Sequence, residues 1–498
     1  MTDILQLYER APNHATAIAS VEGGSTSYEE LVAYAEICGD SLAASGISDE
    51  DRVAIVMPNG PLIATTFASC VPWCAVAPLN PAYTADEFEY YLKDLKANLL
   101  LVDATFDSPV MHVAERLGIE MVAVDANQGL SGFEFGSESR KRRQRNSAST
   151  ALILHTSGTT STPKMVPLSQ RNLLASAKNI AETLELTVDD HCLNVMPLFH
   201  IHGLMAPIMA TLYAGSSVVC TPGFDALKFY AWLDETRPTW YSAVPTMHQA
   251  ILGRAKRNQA SVSRNQLRFI RSSSASLPIQ VLNGLEETFG TRVIEAYAMT
   301  EAAHQMCSNP LPPRARKPGT VGPAAGPEVQ ISDTSNLEFL ESGREGEIVI
   351  RGENVTAGYI NNPDANAKDF VDGWFRTGDL GIMDKDGYVR VTGRLKEIIN
   401  RGGEKIAPLE VDEVLLDHPA IEQVCTFAVP HDKLGEEVGA ILVLKEGKSI
   451  TKDEVKRFAR ERLASFKVPS EVVFLPDIPK GPTGKVQRIG MAQRIGLV

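Results

Sequence analysis

The chain has 498 residues, 44% of them hydrophobic and 22% charged, with a formal net charge of −13. That length allows about three ordinary domains or fewer large α/β ones, and the composition is that of a soluble globular protein. The acidic balance excludes a general nucleic-acid or membrane-surface binder, since both need an excess of Lys and Arg; any anion must be held by local devices such as glycine-rich turns and a few aimed cations.

The first residues, MTDILQLYERAPNH, lack the basic and apolar regions of a signal peptide, and no apolar run of about 18 residues offers a membrane span. Seven scattered cysteines form no CxxC pair and no zinc pattern; reduced, mostly buried thiols in a cytoplasmic protein are expected. RVAIVMP (52–58) and NLLLVDA (98–104) read as buried strands, and PLIATTFASCVPWCAVAP (61–78) and ADEFEYYLKDL (85–95) as helices between them. This alternation predicts a parallel sheet wrapped by helices. The basic stretch GSESRKRRQRNSAST (136–150) reads as a solvated loop between two halves of a domain.

ALILHTSGTTSTPKMVPLSQRNLLASAKNI follows, read as a strand, a Ser/Thr/Gly loop and a helix. The β/α alternation continues through SSVVCTP, TWYSAVP, LRFIRSSS and TRVIEAYA to about residue 310. Residues 346–394 are Gly-rich, with GEIVIRG and YVRVTGR as strands of an antiparallel β subdomain. A last unit of about a hundred residues carries its own strands (VCTFAVP, GAILVLK) and helices (PLEVDEVLLDH, TKDEVKRFARERL), with a boundary at 394–397.

Thr156-Ser157-Gly158-Thr159-Thr160-Ser161-Thr162-Pro163-Lys164 can turn backbone N–H groups, hydroxyls and one ammonium onto a polyanion. It is not a Walker A loop, lacking the second Gly and the Ser/Thr after Lys. The run resembles the phosphate loop of the adenylate-forming superfamily of acyl-CoA synthetases, adenylation domains and luciferases. PLFHIHGL (197–204), EAYAMTEAAH (295–304), GYINNPDANAKDFVDGWFRTGDLG (358–381), GRLKEIINRGGEKIAPLEVDEVL (393–415) and PKGPTGKVQR (479–488) are similar to the family's gate, adenine and metal, ribose, hinge and C-terminal lysine motifs, in that order. Any one alone would more often be a turn, a solvated carboxylate or a surface lysine; the ordered set is specific.

The resemblance implies an α/β protein: a large N-terminal domain of two α/β layers plus a β subdomain (1–393), a hinge (394–396) and a small mobile α+β C-terminal domain (397–498). It implies an ATP-dependent carboxylate–CoA ligase that forms an acyl-adenylate and then a CoA thioester. Thr156, Ser157, Gly158, Thr159, Thr160 and Lys164 would grip the ATP phosphates. Tyr297 would lie near the adenine, Thr300 would touch the α-phosphate, and Glu301 would hold Mg²⁺. Asp379 would bind the ribose hydroxyls, with Arg394 nearby. Lys396 would be the hinge residue, Arg401, Gly402 and Gly403 would line the CoA path, and Lys485 would reach the carboxylate and α-phosphate as the catalytic lysine. Two positions depart from the family pattern of Gly: Ser161, and Met165, whose bulky side chain is expected beside the loop.

In LRFIRSSSASLP (267–278), Ser273 and Ser274 stand where many members have two glycines, which shortens the acyl pocket and adds donors. His304, three residues after Glu301, is expected to project from a loop near the substrate as a hydrogen-bond donor or a positive charge, and His200 to close the gate. His202 reads as a satisfied core histidine. A short, donor-rich pocket suits a small dicarboxylate, and these segments look most like the oxalate–CoA ligase branch. The alternatives are a ligase for a short- or medium-chain monocarboxylic acid, and an adenylation enzyme that loads a carrier protein. No nucleic-acid or membrane partner is expected, and the protein is expected to be a monomer or weak homo-oligomer.

Overall fold

Short apolar runs bury both faces only when helices cover them, and the chain builds two such sheets. The computed structural model describes residues 3–125, 132, 147–156, 163–481 and 486–498. One sheet runs in the order Glu120–Val124, Leu99–Asp103, Arg52–Val56, Ala75–Pro78, Thr150–His155 and Met165–Ser169, parallel except for its last pair. The other runs His304–Ser308, Arg292–Met299, Phe269–Ser272, Trp240–Ala243, His191–Asn194, Ser217–Cys220, Thr16–Ser20 and Ser25–Ser27, with antiparallel pairs only at its two ends. The helices Tyr28–Ala44, Pro61–Cys70 and Gln170–Thr183 share one apolar cluster with strands of both sheets, where Leu31, Phe67 and Leu173 join Ile55, Leu152, Ile18 and Ile294. Ser27 and Ser169 start two of these helices with reciprocal capping boxes.

Two expectations are corrected. The helix expected over 61–78 stops at Cys70, and Ala75–Pro78 enters the sheet instead. Pro72 has no N–H to continue the helix, and the carbonyl this would orphan, on Ala68, accepts the Tyr8 hydroxyl at 2.8 Å. The phosphate segment is followed by a strand, not a helix. Met165–Ser169 pairs antiparallel with Thr150–His155, and the helix begins only at Gln170. Pro167 is tolerated because this is an edge strand. Met165 is 3% exposed and joins Phe88, Leu92 and Ile153 in one apolar cluster. Of the basic stretch 136–150, residues 136–146 lie outside the described residues.

A five-stranded antiparallel sheet begins at Glu328–Ser332, earlier than expected, and continues through Glu345–Arg351, Phe370–Val371, Trp374–Met383 and Val389–Arg394. A further sheet joins Ile399–Arg401, Glu404–Ile406, Ile421–His431, Gly435–Leu444 and Glu471–Phe474. Its two apolar clusters draw only on residues from 399 onward. Among the described residues no helix is long and apolar enough to cross a membrane, and all seven cysteines are buried and free.

Gly203 shows how tightly the gate segment is packed. A Cβ there would lie 2.3 Å from the Pro197 carbonyl oxygen. Gly203→Ala is expected to destabilise the fold by about 1–3 kcal/mol, seen as a lower denaturation midpoint with an unchanged slope.

Candidate active site

The antiparallel β sheet sets Asp379 opposite Arg394. Arg394 Nε donates to Asp379 Oδ1 at 2.6 Å, and the Tyr297 hydroxyl donates to Oδ2 at 2.5 Å. Burial, reinforced by the Asp379 charge, raises the Tyr297 phenol well above its ordinary pKa, so it remains a donor. Asp379 is 3% exposed, and a carboxylate has enough lone-pair sites to accept further hydroxyls beyond these two partners.

The neck of the phosphate segment is closed by Thr156 N–H donating to the Lys164 carbonyl at 2.9 Å. Lys164 Nζ bonds Asp369 Oδ2 at 2.8 Å and lies 4.1 Å over the Tyr359 ring. The Tyr359 hydroxyl donates to Glu301 Oε1 at 3.0 Å, so one tyrosine separates the ammonium from the carboxylate. Burial raises the Glu301 pKa, with the Tyr359 bond and Lys164 opposing. Thr300 opens the short 3-10 turn Thr300–Ala302 that carries Glu301. Among the described residues no cluster of three metal-ligating side chains occurs. Ser157, Gly158, Thr159, Thr160 and Lys485 lie outside the described residues.

The residues expected to meet the acid converge from four elements. His200 caps the turn Ile201–Gly203, its Nδ1 accepting from the His202 N–H at 3.3 Å. His202 is fully buried, with Nδ1 3.1 Å from Ser274 Oγ and Nε2 2.6 Å from Ser242 Oγ. His304 does not project from a loop: it opens the strand His304–Ser308, is fully buried, and stacks on His202 with ring centroids 4.8 Å apart. The turn before it is pinned by Ser176 Oγ donating to the Ala303 carbonyl at 2.5 Å and by Asn354 Nδ2 donating to that of Ala302 at 2.8 Å. Ser274 and His304 both have left-handed backbone, φ 75° and 98°; for residues with a Cβ this is strain of the kind held at functional sites.

Arg271 belongs to this cluster and was not singled out from the sequence. It is fully buried, with Nη1 3.1 Å from His304 Nε2 and 3.3 Å from Ser242 Oγ, and Nη2 3.2 Å from Gln305 Oε1. No carboxylate among the described residues pairs with it, and burial pushes it down to about 9, which leaves it charged at neutral pH. Its signal was an arginine inside the apolar strand Phe269–Ser272. Tyr359, Asp369 and Ser242 were missed as well, being ordinary residues in a loop, at a helix end and in a strand until the fold brings them together.

In the C-terminal unit, Gly402 and Gly403, φ 60° and 95°, form the two-residue turn between Ile399–Arg401 and Glu404–Ile406. Arg401 Nε pairs with Glu437, and the Gly402 N–H donates to the Leu434 carbonyl at 2.9 Å. Lys396 is exposed in the turn Leu395–Glu397. Arg488 pairs with Asp412 at 2.6 Å and with Glu397 at 3.4 Å, and donates to the Thr426 carbonyl at 2.8 Å.

Two helix-covered sheets, a β subdomain and a small C-terminal unit, with a Tyr297–Asp379–Arg394 cradle and Lys164 at the end of a Ser/Thr-rich segment, are the make-up of an adenylate-forming acid–thiol ligase. The model for AMP-binding enzymes matches residues 7–360, and that for the AMP-binding enzyme C-terminal domain matches 410–485. The chain belongs to the AMP-binding enzyme family and is an ATP-dependent, AMP-forming acyl-CoA ligase. It is 45% identical to oxalate–CoA ligase of Arabidopsis thaliana over 90% of this chain and 89% of the relative. It is 42% identical to oxalate–CoA ligase of Saccharomyces cerevisiae over 89% and 87%. ATP-bound MatB from Rhodopseudomonas palustris superposes with a TM-score of 0.91 at 30% identity, covering 99% of this chain and 100% of that one.

Proposed function

We propose that the acid is oxalate, which the enzyme converts to oxalyl-CoA with release of AMP and pyrophosphate. The observation that carries this reading is the acyl cluster: a buried guanidinium, with no carboxylate partner among the described residues, behind two histidines and a serine. One oxalate carboxylate must meet the α-phosphate, so the other faces His200, Ser274 and His304. A carboxylate there is costly unless hydrogen-bonded, and this cluster supplies donors in a cationic environment. Two oxalate–CoA ligases among the relatives support the same reading.

In the first step an ionised oxalate oxygen bonds to the α-phosphorus and the bond to the pyrophosphate oxygen breaks; no general base is needed. Lys164 and the hydroxyls of the phosphate segment hold the polyphosphate, Asp379 the ribose, and Lys485 stabilises charge on the in-line transition state. Mg²⁺ fits at Glu301, a buried carboxylate whose one hydrogen-bonding side chain among the described residues is a neutral tyrosine; it would offset phosphate charge, sharing its remaining ligands with ATP and water. In the second step the CoA sulfur attacks the acyl carbon and AMP leaves, with Arg401, Gly402 and Gly403 along the CoA path. Residues 1–393 and 397–498 act as two domains about a hinge at 394–396, and the small one turns between the steps. We place the enzyme in the cytoplasm as a monomer or weak homo-oligomer; seven free buried thiols suit a reducing compartment.

The test is AMP and pyrophosphate release with oxalate, malonate, acetate and hexanoate, each with and without CoA. Oxalate is expected to dominate kcat/KM, with CoA-dependent turnover. Equal use of hexanoate would remove oxalate and leave the ligase.

A further inference from the structure

Arg271 is fully buried, yet it is charged and lacks an acidic partner among the described residues. What it does follows from hydrogen-bond polarity. A guanidinium has five N–H donors and no acceptor, so every atom it bonds must accept. Ser242 Oγ, His304 Nε2 and Gln305 Oε1 are therefore all acceptors.

That single constraint runs outward along two arms. Ser242 Oγ accepts from Arg271, and the one acceptor among the described residues for its own hydrogen is His202 Nε2, at 2.6 Å. Leaving a buried hydroxyl hydrogen unsatisfied costs about 1–3 kcal/mol, so the hydroxyl donates to His202. The His202 proton then sits on Nδ1 and donates to Ser274 Oγ at 3.1 Å, which leaves the Ser274 hydrogen to be donated onward. On the second arm, His304 Nε2 accepts from Arg271, which places the His304 proton on Nδ1. The two imidazoles stack within 25° of parallel, and both Nε2 corners meet the Arg271–Ser242 pair. A cationic imidazolium at His304 is excluded in this arrangement, because its Nε2–H would face a guanidinium N–H.

We propose that Arg271 is a positioning residue that sets the direction of both relays, Arg271–Ser242–His202–Ser274 and Arg271–His304, so that each ends in a donor aimed at the distal group of the acid. The acid's identity rests on the oxalate reading above; the proton placement does not. Such a site favours a distal group that only accepts, as a carboxylate does, over one that also donates. Oxamate, in which that carboxylate becomes an amide, is the discriminating probe.

Two measurements test this on the full-length enzyme. In protein labelled with ¹⁵N-histidine, with signals assigned by loss in His304→Gln and His202→Gln, both rings are expected as the neutral Nδ1–H tautomer. An Nε2–H tautomer or an imidazolium at either ring would overturn the proposal. This needs no Arg271 variant, and it decides the matter even if oxalate proves not to be the substrate. Then kcat/KM is compared for oxalate and oxamate. Arg271→Gln, whose amide can donate or accept, is expected to lower the oxalate preference by roughly tenfold or more, while Arg271→Lys, still donor-only, retains most of it. Ser242→Ala, which cuts the His202 arm alone, is expected to give an intermediate loss. An unchanged preference in folded Arg271→Gln, or in Ser242→Ala should the first not fold, counts against the relay.

Discussion

Lys485→Ala is expected to lower acyl-adenylate formation by at least about 10²–10³, the cost of removing one preorganised stabiliser of transition-state charge. Thioester formation from a supplied acyl-adenylate should stay close to the wild-type rate. The asymmetry follows from the chemistry: ATP and the carboxylate are both anions and must be brought together, whereas the second step joins a thiol to an activated acyl group. The residues flanking Lys485 are well fixed: Lys480 bridges to Val486, and Arg488 is held by Asp412 and Glu397. The variant should therefore fold normally. Pyrophosphate exchange reads the first step, and CoA-dependent consumption of synthetic adenylate reads the second. An equal fall in both would sink the assignment of Lys485 to adenylation.

His304→Ala is expected to reduce kcat/KM for oxalate by about 10³–10⁴ and that for acetate only several-fold. Sites built to hydrogen-bond a substrate group can discriminate by 10⁴ or more, because the unmatched partners are left buried and unpaired. Acetate presents no distal carboxylate, so it never used the lost donor. The variant also removes an acceptor from Arg271 Nη1, which will cost some stability. A urea melt separates that loss from the loss of selectivity. Parallel declines for both acids would refute the contact with His304 and leave the ligase chemistry standing.

Much of the large-scale architecture was legible because its signals are local. Val53–Val56 and Leu99–Val102 are apolar runs that can only be buried, and Ala85–Leu95 is a helix from its Thr84–Glu87 capping box onward. The errors came where a local signal was equivocal. The run Ala75–Pro78 is as apolar as the helix before it, and only Pro72 marked the break. Met165–Ser169 is too short to separate from the helix that follows it until its partner strand is known. The acyl cluster was harder still. Ser242 and Arg271 are register partners on adjacent parallel strands, while His202 comes from a turn and His304 from the antiparallel edge. Nothing in sequence spacing relates them, since strand order is a property of the finished sheet. His202 has both ring nitrogens bonded, as a core histidine should, but one of those bonds goes to Ser274.

The ion pairs around Arg488 bear on how far a swing of the C-terminal unit can be spread along the chain. Glu397 is tied through Arg488 to Asp412, so in such a swing residues 397, 412 and 488 would turn as one piece. Arg394 is tied from the other side, to Asp379 of the β subdomain. Between these two anchors only Leu395 and Lys396 remain to supply rotation. Two residues offer two φ and two ψ angles, each with a few sterically allowed wells. A pivot that short would work like a ratchet with separate stops, passing between a small number of settings without dwelling at angles between them.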